Sequence, residues 1–221
     1  KPQVAFFERY GSFGFMAFER VCRYAKDKGL LVIADVKRGD IGSTAGAYSH
    51  YYLGKDTDSI SVDAITINPY LGSDSIEPFV VDSINNGKGL FILVKTSNKS
   101  SGEIQNLYCH GKRVYEIVAD LVVNLGNKYI GQKGYSPVGA VVGGTYKEEG
   151  QLIREKMKNC YFLVPGYGAQ GAKASDLGGF FNDDGLGAII NSSRGIIGAY
   201  KIDKYKNLYD EKGTDCKLWN T

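Results

Sequence analysis

Short apolar runs separated by stretches with helical periodicity recur along the 221 residues, and this alternation restricts the fold more than any other feature. The runs are QVAFFE (3–8), LLVIADVK (30–37), AITINPY (64–70), GLFILVKTS (89–97), VGAVVGGT (138–145), CYFLVPG (160–166) and GAIINSSR (187–194). Helix-like segments lie between them at 14–28, 44–54, 74–86, 111–126 and 146–158, with a weaker one near 172–182. Strands that alternate with helices build a parallel sheet through repeated crossovers. The runs are apolar almost throughout, as strands covered on both faces must be. Seven such units, the first opening inside an apolar stretch, predict an α/β fold of the (β/α)8 TIM-barrel type whose first βα unit lies before residue 1. The competing architecture is a doubly wound open sheet, which gathers ligand contacts at one switch point. Here polar and reactive residues stand at the C-terminal ends of nearly every strand, where barrels assemble their sites. No linker divides the chain, and residues 1–221 are read as a single domain.

Charge and cysteine content narrow the function classes. The 27 basic and 24 acidic residues are spread along the chain, without the concentrated basic tract that marks a nucleic-acid surface. No apolar run approaches the roughly 18 residues needed to cross a bilayer, so no membrane partner is expected and the location is read as cytoplasmic. Cys22, Cys109, Cys160 and Cys216 lie far apart without CxxC or CxxH pairing, which favours free thiols over zinc or disulfides. His50 and His110 lack metal-ligand company in sequence and are read as surface or structural residues.

The stretch DVKRGDIGSTAG (35–46) puts two acids and two bases into six positions at the end of an apolar strand. Asp35 and Lys37 are two apart, so in a strand both side chains leave on one face while Val36 points the other way. If that face opens into the barrel mouth, the pair sits over the pocket. Asp40 follows Gly39, and Ser43 or Thr44 is the expected start of the next helix. An exposed ion pair at a strand end, worth at most about 1 kcal/mol, is the plain alternative. The other strand ends weigh against it. Lys1 opens one run, and Thr96 and Ser97 close another. PGYGAQG (165–171) is a glycine-rich turn whose backbone N–H groups can approach an anion, with Gln170 able to add an amide. SSRG (192–195) then supplies Arg194, whose guanidinium can grip phosphate through two parallel hydrogen bonds. These two elements follow the strands counted as seventh and eighth, where barrels often hold phosphate. Lys95 and Asn68 stand at strand ends with their direction left open between pocket and scaffold.

KPQVAFFERYGSFG, LVIADVKRGDIGSTAGAYS, ITINPYLGSDSIEPF, LFILVKTSN, VPGYGAQGA and IINSSRGIIGAY together resemble the orotidine 5′-monophosphate decarboxylase family, in the family's order and over most of the chain. DxKxxDIGxT is the most specific part. The resemblance implies an alternating charge network of Lys1, Asp35, Lys37 and Asp40, with Lys37 donating the proton that replaces CO2. It implies a homodimer in which Asp40 and Thr44 complete the neighbouring subunit's pocket. Ser97, or Thr96 beside it, matches the hydroxyl that reads the pyrimidine. Pro165 and Gln170 match the wrap around base and phosphate, and Arg194 matches the phosphate-binding arginine. The implied ligands are orotidine 5′-monophosphate and uridine 5′-monophosphate, with no metal and no organic cofactor. The family's first strand, with the aspartate that holds the ribose, has no counterpart in this sequence.

Two other readings stand beside this one. A metal-dependent sugar-phosphate decarboxylase or aldolase of the same barrel type shares DxKxxD, but the further acids that would hold its metal are not evident. A catalytically silent nucleotide-phosphate binding protein is the other.

Overall fold

The computed structural model describes residues 1–168 and 171–201. In chain order its elements are α1 (Ala5–Glu8), α2 (Gly11–Asp27), β1 (Ile33–Arg38), α3 (Gly42–Leu53), β2 (Ala64–Ile67), α4 (Ser73–Asn86), β3 (Gly89–Lys95), α5 (Gly102–Gln105), β4 (Tyr108–Cys109), β5 (Lys112–Arg113), α6 (Val114–Gly126), β6 (Ser136–Val142), α7 (Lys147–Lys156), β7 (Cys160–Val164), β8 (Ala188–Ile190) and α8 (Ser193–Ile197). β4 and β5 form a small antiparallel hairpin, and the six longer-range strands form one parallel sheet in the order β1-β2-β3-β6-β7-β8. Neighbours in the sheet follow one another along the chain, with no reversal of direction. A doubly wound sheet needs such a reversal, so the order decides for the barrel-type arrangement.

Side-chain alternation divides the core into two layers. Ala34, Val36, Ile65, Ile67, Leu90, Ile92, Val138, Ala140, Phe162 and Val164 face the helices and join Phe18, Phe79 and Val122 in the larger cluster. The opposite face carries Ala64, Phe91, Val141 and Leu163, packed with Ile33, Leu93 and Tyr161 inside the curve of the sheet. Helix α2 meets the outer layer through Gly14, Phe18 and Cys22, four residues apart on one face. A Cβ on Gly14 would lie 1.9 Å from the Phe7 carbonyl oxygen, so only glycine permits α1 and α2 to pack this closely.

Several expected elements differ. QVAFFE is not a strand: Gln3 alone makes a parallel bridge to Asp35, and Ala5–Glu8 turn into a helix. The Gln3 side-chain oxygen accepts the Ala5 N–H at 2.7 Å, a cap-like bond that starts the turn. A continuous apolar run cannot be told from a helical turn by periodicity, which is why the expectation failed. The predicted helix at 111–126 begins only at Val114, because residues 108–113 fold into the hairpin. The one near 172–182 is two short 3-10 turns, Ala174–Asp176 and Gly178–Phe180. The helix after β1 starts at Gly42 with no side-chain cap from Ser43 or Thr44.

Candidate functional site

The C-terminal ends of the strands surround a cavity of about 480 Å³ lined by Lys1, Gln3, Phe6, Asp35, Lys37, Thr66, Leu93, Thr96, Ser97, Asn98, Val141, Leu163, Pro165, Asn191 and Ser193. Its volume suits a small-molecule ligand, and polar side chains stand on two walls, around Asp35 on one and at Thr96–Asn98 on the other, with Leu93, Val141 and Leu163 as apolar lining. The first of these walls is organised around Asp35, the one carboxylate lining the cavity among the described residues. Lys1 Nζ donates to Asp35 Oδ2 at 2.6 Å, and Lys37 Nζ forms an ion pair with Asp35 Oδ1. The Thr66 hydroxyl donates to the same Oδ1 at 3.0 Å. Burial alone would raise the Asp35 carboxyl, but the charges and hydrogen bonds of Lys1 and Lys37 outweigh it and hold it below the ordinary carboxylate range. Lys1 is largely covered, whereas the Lys37 side chain is 44% exposed and turned toward the opening.

Local backbone geometry makes this arrangement possible. Ala34 pairs with Ile65 and Arg38 with Ile67, so Asp35, Val36 and Lys37 bulge opposite Thr66 alone. Thr66 Oγ1 accepts the backbone N–H groups of both Val36 and Lys37 at 3.0 Å, supplying the acceptor that the interrupted ladder lacks. Lys37 takes a left-handed φ of 46°. That conformation is uncommon for a residue with a side chain, and such outliers persist where neighbouring bonds fix them, often at functional sites. Arg38, next in the strand, turns away from the cavity: it pairs with Glu8, approaches the Tyr52 hydroxyl at 3.4 Å and stacks over Tyr48. It thereby ties α1 to the end of β1.

On the opposite wall Thr96 and Ser97 are both present, and their hydroxyls are in different states. Thr96 Oγ1 donates to Asn98 Oδ1 at 2.7 Å and accepts from Gln105 Nε2 at 2.8 Å. Among the described residues, the Ser97 hydroxyl has no such partner and is free to meet a ligand. Gly143 lies beneath it: an added Cβ would come within 2.7 Å of the Ser97 backbone, so this crossing tolerates no side chain.

The remaining expectations divide. Pro165 lines the cavity. Asp40 does not: its Oδ1 accepts the Ile41 N–H at 2.8 Å, and it makes no contact with the lysines within this chain. Thr44 is exposed on α3. Arg194 is exposed in the first turn of α8, beside the cavity-lining Ser193. Gln170 lies outside the described residues. Asn68 caps the following turn by accepting the Tyr70 N–H at 3.0 Å and takes no part in the charge network. Lys95 is fully buried on the far side of β3. His50 has acidic neighbours after all, Asp56 at 3.6 Å and Asp58 at 3.3 Å. These form an exposed group at the C-terminal end of α3, the end that points away from the cavity. Cys22, Cys109 and Cys160 are free thiols. No described helix is long and apolar enough to cross a membrane. Thr66 and Asn191 are cavity residues that the sequence did not single out. Thr66 reads as an ordinary β-branched strand residue, and only the bulge reveals its second use.

Residues 1–205 match the model of the orotidine 5′-phosphate decarboxylase / HUMPS family. The chain belongs to this family. It is 50% identical over 207 residues to the orotidine 5′-phosphate decarboxylase of Caldicellulosiruptor bescii, a match spanning 91% of this chain and 68% of that protein. Over 214 residues it is 46% identical to the orotidine 5′-phosphate decarboxylase of Rhodopirellula baltica, covering 96% and 71% of the two chains. Among solved structures, Leishmania donovani OMP decarboxylase aligns with a TM-score of 0.72 at 34% identity, over 95% of this chain and 76% of that one. The parallel barrel-type sheet is thus the fold of an orotidine 5′-phosphate decarboxylase family member, and the cavity lies at the strand ends where such folds carry their sites.

Proposed function

We propose that this chain decarboxylates orotidine 5′-monophosphate to uridine 5′-monophosphate in pyrimidine biosynthesis, without metal or organic cofactor. The observation that carries the reading is the Lys1–Asp35–Lys37 array on the wall of the cavity, in a chain half identical to a protein named for that reaction. Loss of CO2 breaks the bond to C6 and leaves its electron pair on a ring carbon with no neighbouring group to delocalise it. An ammonium beside C6 attracts the developing charge, and transfer of a proton from Lys37 Nζ to C6 completes the exchange. Lys37 is left neutral and regains its proton from water.

Asp35 has two tasks in this scheme. Its charge aims the Lys37 ammonium, and it disfavours a substrate carboxylate held beside it until CO2 departs. Lys1 also pairs with Asp35, so that the carboxylate keeps a counter-charge once Lys37 has given up its proton. Ser97 meets the pyrimidine edge, Thr96 holds the rim, Pro165 and Gln170 bracket base and phosphate, and Arg194 with the glycine-rich turn takes the phosphate. Binding energy from that remote group is then available to the reacting carbon, within the general enzyme range of about 8–23 kcal/mol of barrier lowering. Asp40 and Thr44 act in trans within a homodimer, which accounts for their lying off the cavity of their own chain. The protein works in the cytoplasm.

A metal-dependent sugar-phosphate reaction is disfavoured by donor chemistry: among the described residues Asp35 is the single carboxylate lining the cavity, and two lysines already pair with it. Purified protein given orotidine 5′-monophosphate should consume the orotate chromophore at a rate unchanged by EDTA. Abolition by EDTA, or uridine 5′-monophosphate binding with no turnover, overturns the proposal.

A further inference from the structure

Strand β3 ends in a bulge. Leu93 pairs with Val141 and Lys95 with Val142, so Val94 and Lys95 together oppose a single residue of β6. The inward alternation of Phe91 and Leu93 is broken there, and Lys95 turns away from the cavity into the layer beneath the helices, with no exposed surface. Bulges next to sites commonly redirect a side chain in this way.

Among the described residues no carboxylate pairs with this ammonium. Its nitrogen donates to Asn106 Oδ1 at 2.8 Å and to Ser101 Oγ at 3.3 Å. It also lies 4.3 Å from the centre of the Tyr146 ring and 5.7 Å from that of Tyr115, within the range of cation–π attraction. Burial pulls the ammonium below its ordinary value, partly opposed by Glu149 and reinforced by Arg113. A buried, unpaired charge is costly, and methionine would fill the same volume without that cost.

The partners of Lys95 show what the charge organises. Ser101 Oγ lies 3.2 Å from the Tyr146 hydroxyl, which donates to the Asn98 carbonyl at 2.9 Å. Gln105, one residue before Asn106, clamps Thr96 through its backbone N–H at 3.0 Å and its hydroxyl at 2.8 Å. The Lys95 carbonyl accepts the Gly143 N–H at 2.7 Å, and Thr145 Oγ1 donates to the Ser97 carbonyl at 3.2 Å. The segment 96–106 and the loop after β6 therefore both close on one ammonium, and the residues they hold, Thr96, Ser97 and Asn98, line the cavity.

We propose that Lys95 is a positioning residue, whose buried ammonium sets the cavity rim Thr96–Asn98 through Asn106, Ser101 and Tyr146 so that the rim grips the base of the nucleotide. This rests on the nucleotide reading of the cavity given above, and the test separates the two. Uridine 5′-monophosphate carries base and phosphate, whereas ribose 5-phosphate lacks the base. Titration calorimetry of wild type and Lys95→Met with each ligand should show an approximately tenfold weaker uridine 5′-monophosphate complex in the variant, with ribose 5-phosphate changed by less than about twofold. A general loosening of the fold would weaken both ligands alike, and that outcome, or an unchanged uridine 5′-monophosphate affinity, overturns the inference. Failure of the wild type to bind uridine 5′-monophosphate would instead sink the nucleotide reading. If Lys95→Met does not fold, Tyr146→Phe decides: it keeps the ring over the ammonium and removes only the hydroxyl that reaches Asn98. The base-selective loss should persist at about threefold, and no loss contradicts the role.

Discussion

Asp35 is the most heavily engaged side chain of the cavity, accepting from two ammonium groups and one hydroxyl. Its carboxyl is held below the ordinary range, so folding favours its charged form. The stabilisation is present above the unfolded value of about 3.9 and is lost as pH falls through the lower folded value. Urea titrations should therefore show a wild-type stability that declines on acidification below about pH 4 more steeply than that of Asp35→Asn, which cannot titrate there. Parallel decline in the two proteins would remove Asp35 as the source. Thr66 gives a second test at this scale. Thr66→Val keeps the shape and strand preference but leaves the Val36 and Lys37 N–H groups without their acceptor. A loss of about 1–3 kcal/mol is expected, read as a fall in melting temperature, together with reduced turnover because Lys37 is no longer held. Thiol reactivity should follow environment as well. Cys22 and Cys160 are buried and pushed up to about 11, whereas Cys109 is exposed, so peptide mapping after brief alkylation should find Cys109 modified well ahead of the other two. Asp35 and Lys37 were legible as residues from their two-residue spacing at the end of an apolar run. The left-handed turn at Lys37 was not, because nothing in the one-dimensional pattern distinguishes a regular strand end from a bulged one.

At the scale of elements, the bulges in β1 and β3 do opposite things. In β1 the bulge delivers Asp35 and Lys37 to the cavity, and in β3 it withdraws Lys95 from it. Strand alternation alone left Lys95 open between the two sides, and a one-residue register change decided the matter. The edge strand β8 is held differently, by Arg154 on α7. Its buried guanidinium donates to the carbonyls of Phe180, Met157, Cys160 and Gly187 at 2.7–2.9 Å and lies 3.6 Å over the Phe162 ring. The Gly187 carbonyl in turn accepts the Phe162 N–H, so this one side chain fixes where β8 and the following SSRG turn begin. Arg154→Met should unfold several degrees lower, since about 3 kcal/mol is a modest estimate for four carbonyls losing their donors. An unchanged melting temperature would mean that β8 is held by its ladder alone. In sequence Arg154 sits among QLIREK and reads as a solvated helix residue; among the described residues its hydrogen bonds go to backbone carbonyls, which leaves no complementary acid to search for.

For the molecule as a whole, strand order follows chain order, and the apolar character of the strands together with the helical spacing between them was enough to anticipate it. The expectation that Asp40 and Thr44 serve a second chain was not legible from the folding pattern, and entered only through the resemblance. Asp40 and Thr44 stand away from the cavity, on a surface that also exposes Ile41. If they complete a partner's site, Lys37→Ala and Asp40→Ala are each inactive alone, but each hybrid dimer holds one intact site. Equal mixtures allowed to exchange subunits should recover about a quarter of wild-type activity. Absence of recovery, with exchange verified by mass, would place Asp40 in its own chain's chemistry or outside it.

The role proposed for the Lys37 ammonium, steadied by Asp35, is to serve the carbon that loses CO2. Its most direct test is Lys37→Ala, measured for single turnover of orotidine 5′-monophosphate and for uridine 5′-monophosphate affinity on the same preparation. Decarboxylation should disappear while product binding changes by no more than about tenfold, because the base and phosphate contacts assigned to Ser97, Gln170 and Arg194 are untouched. Retention of substantial turnover by that variant would contradict it.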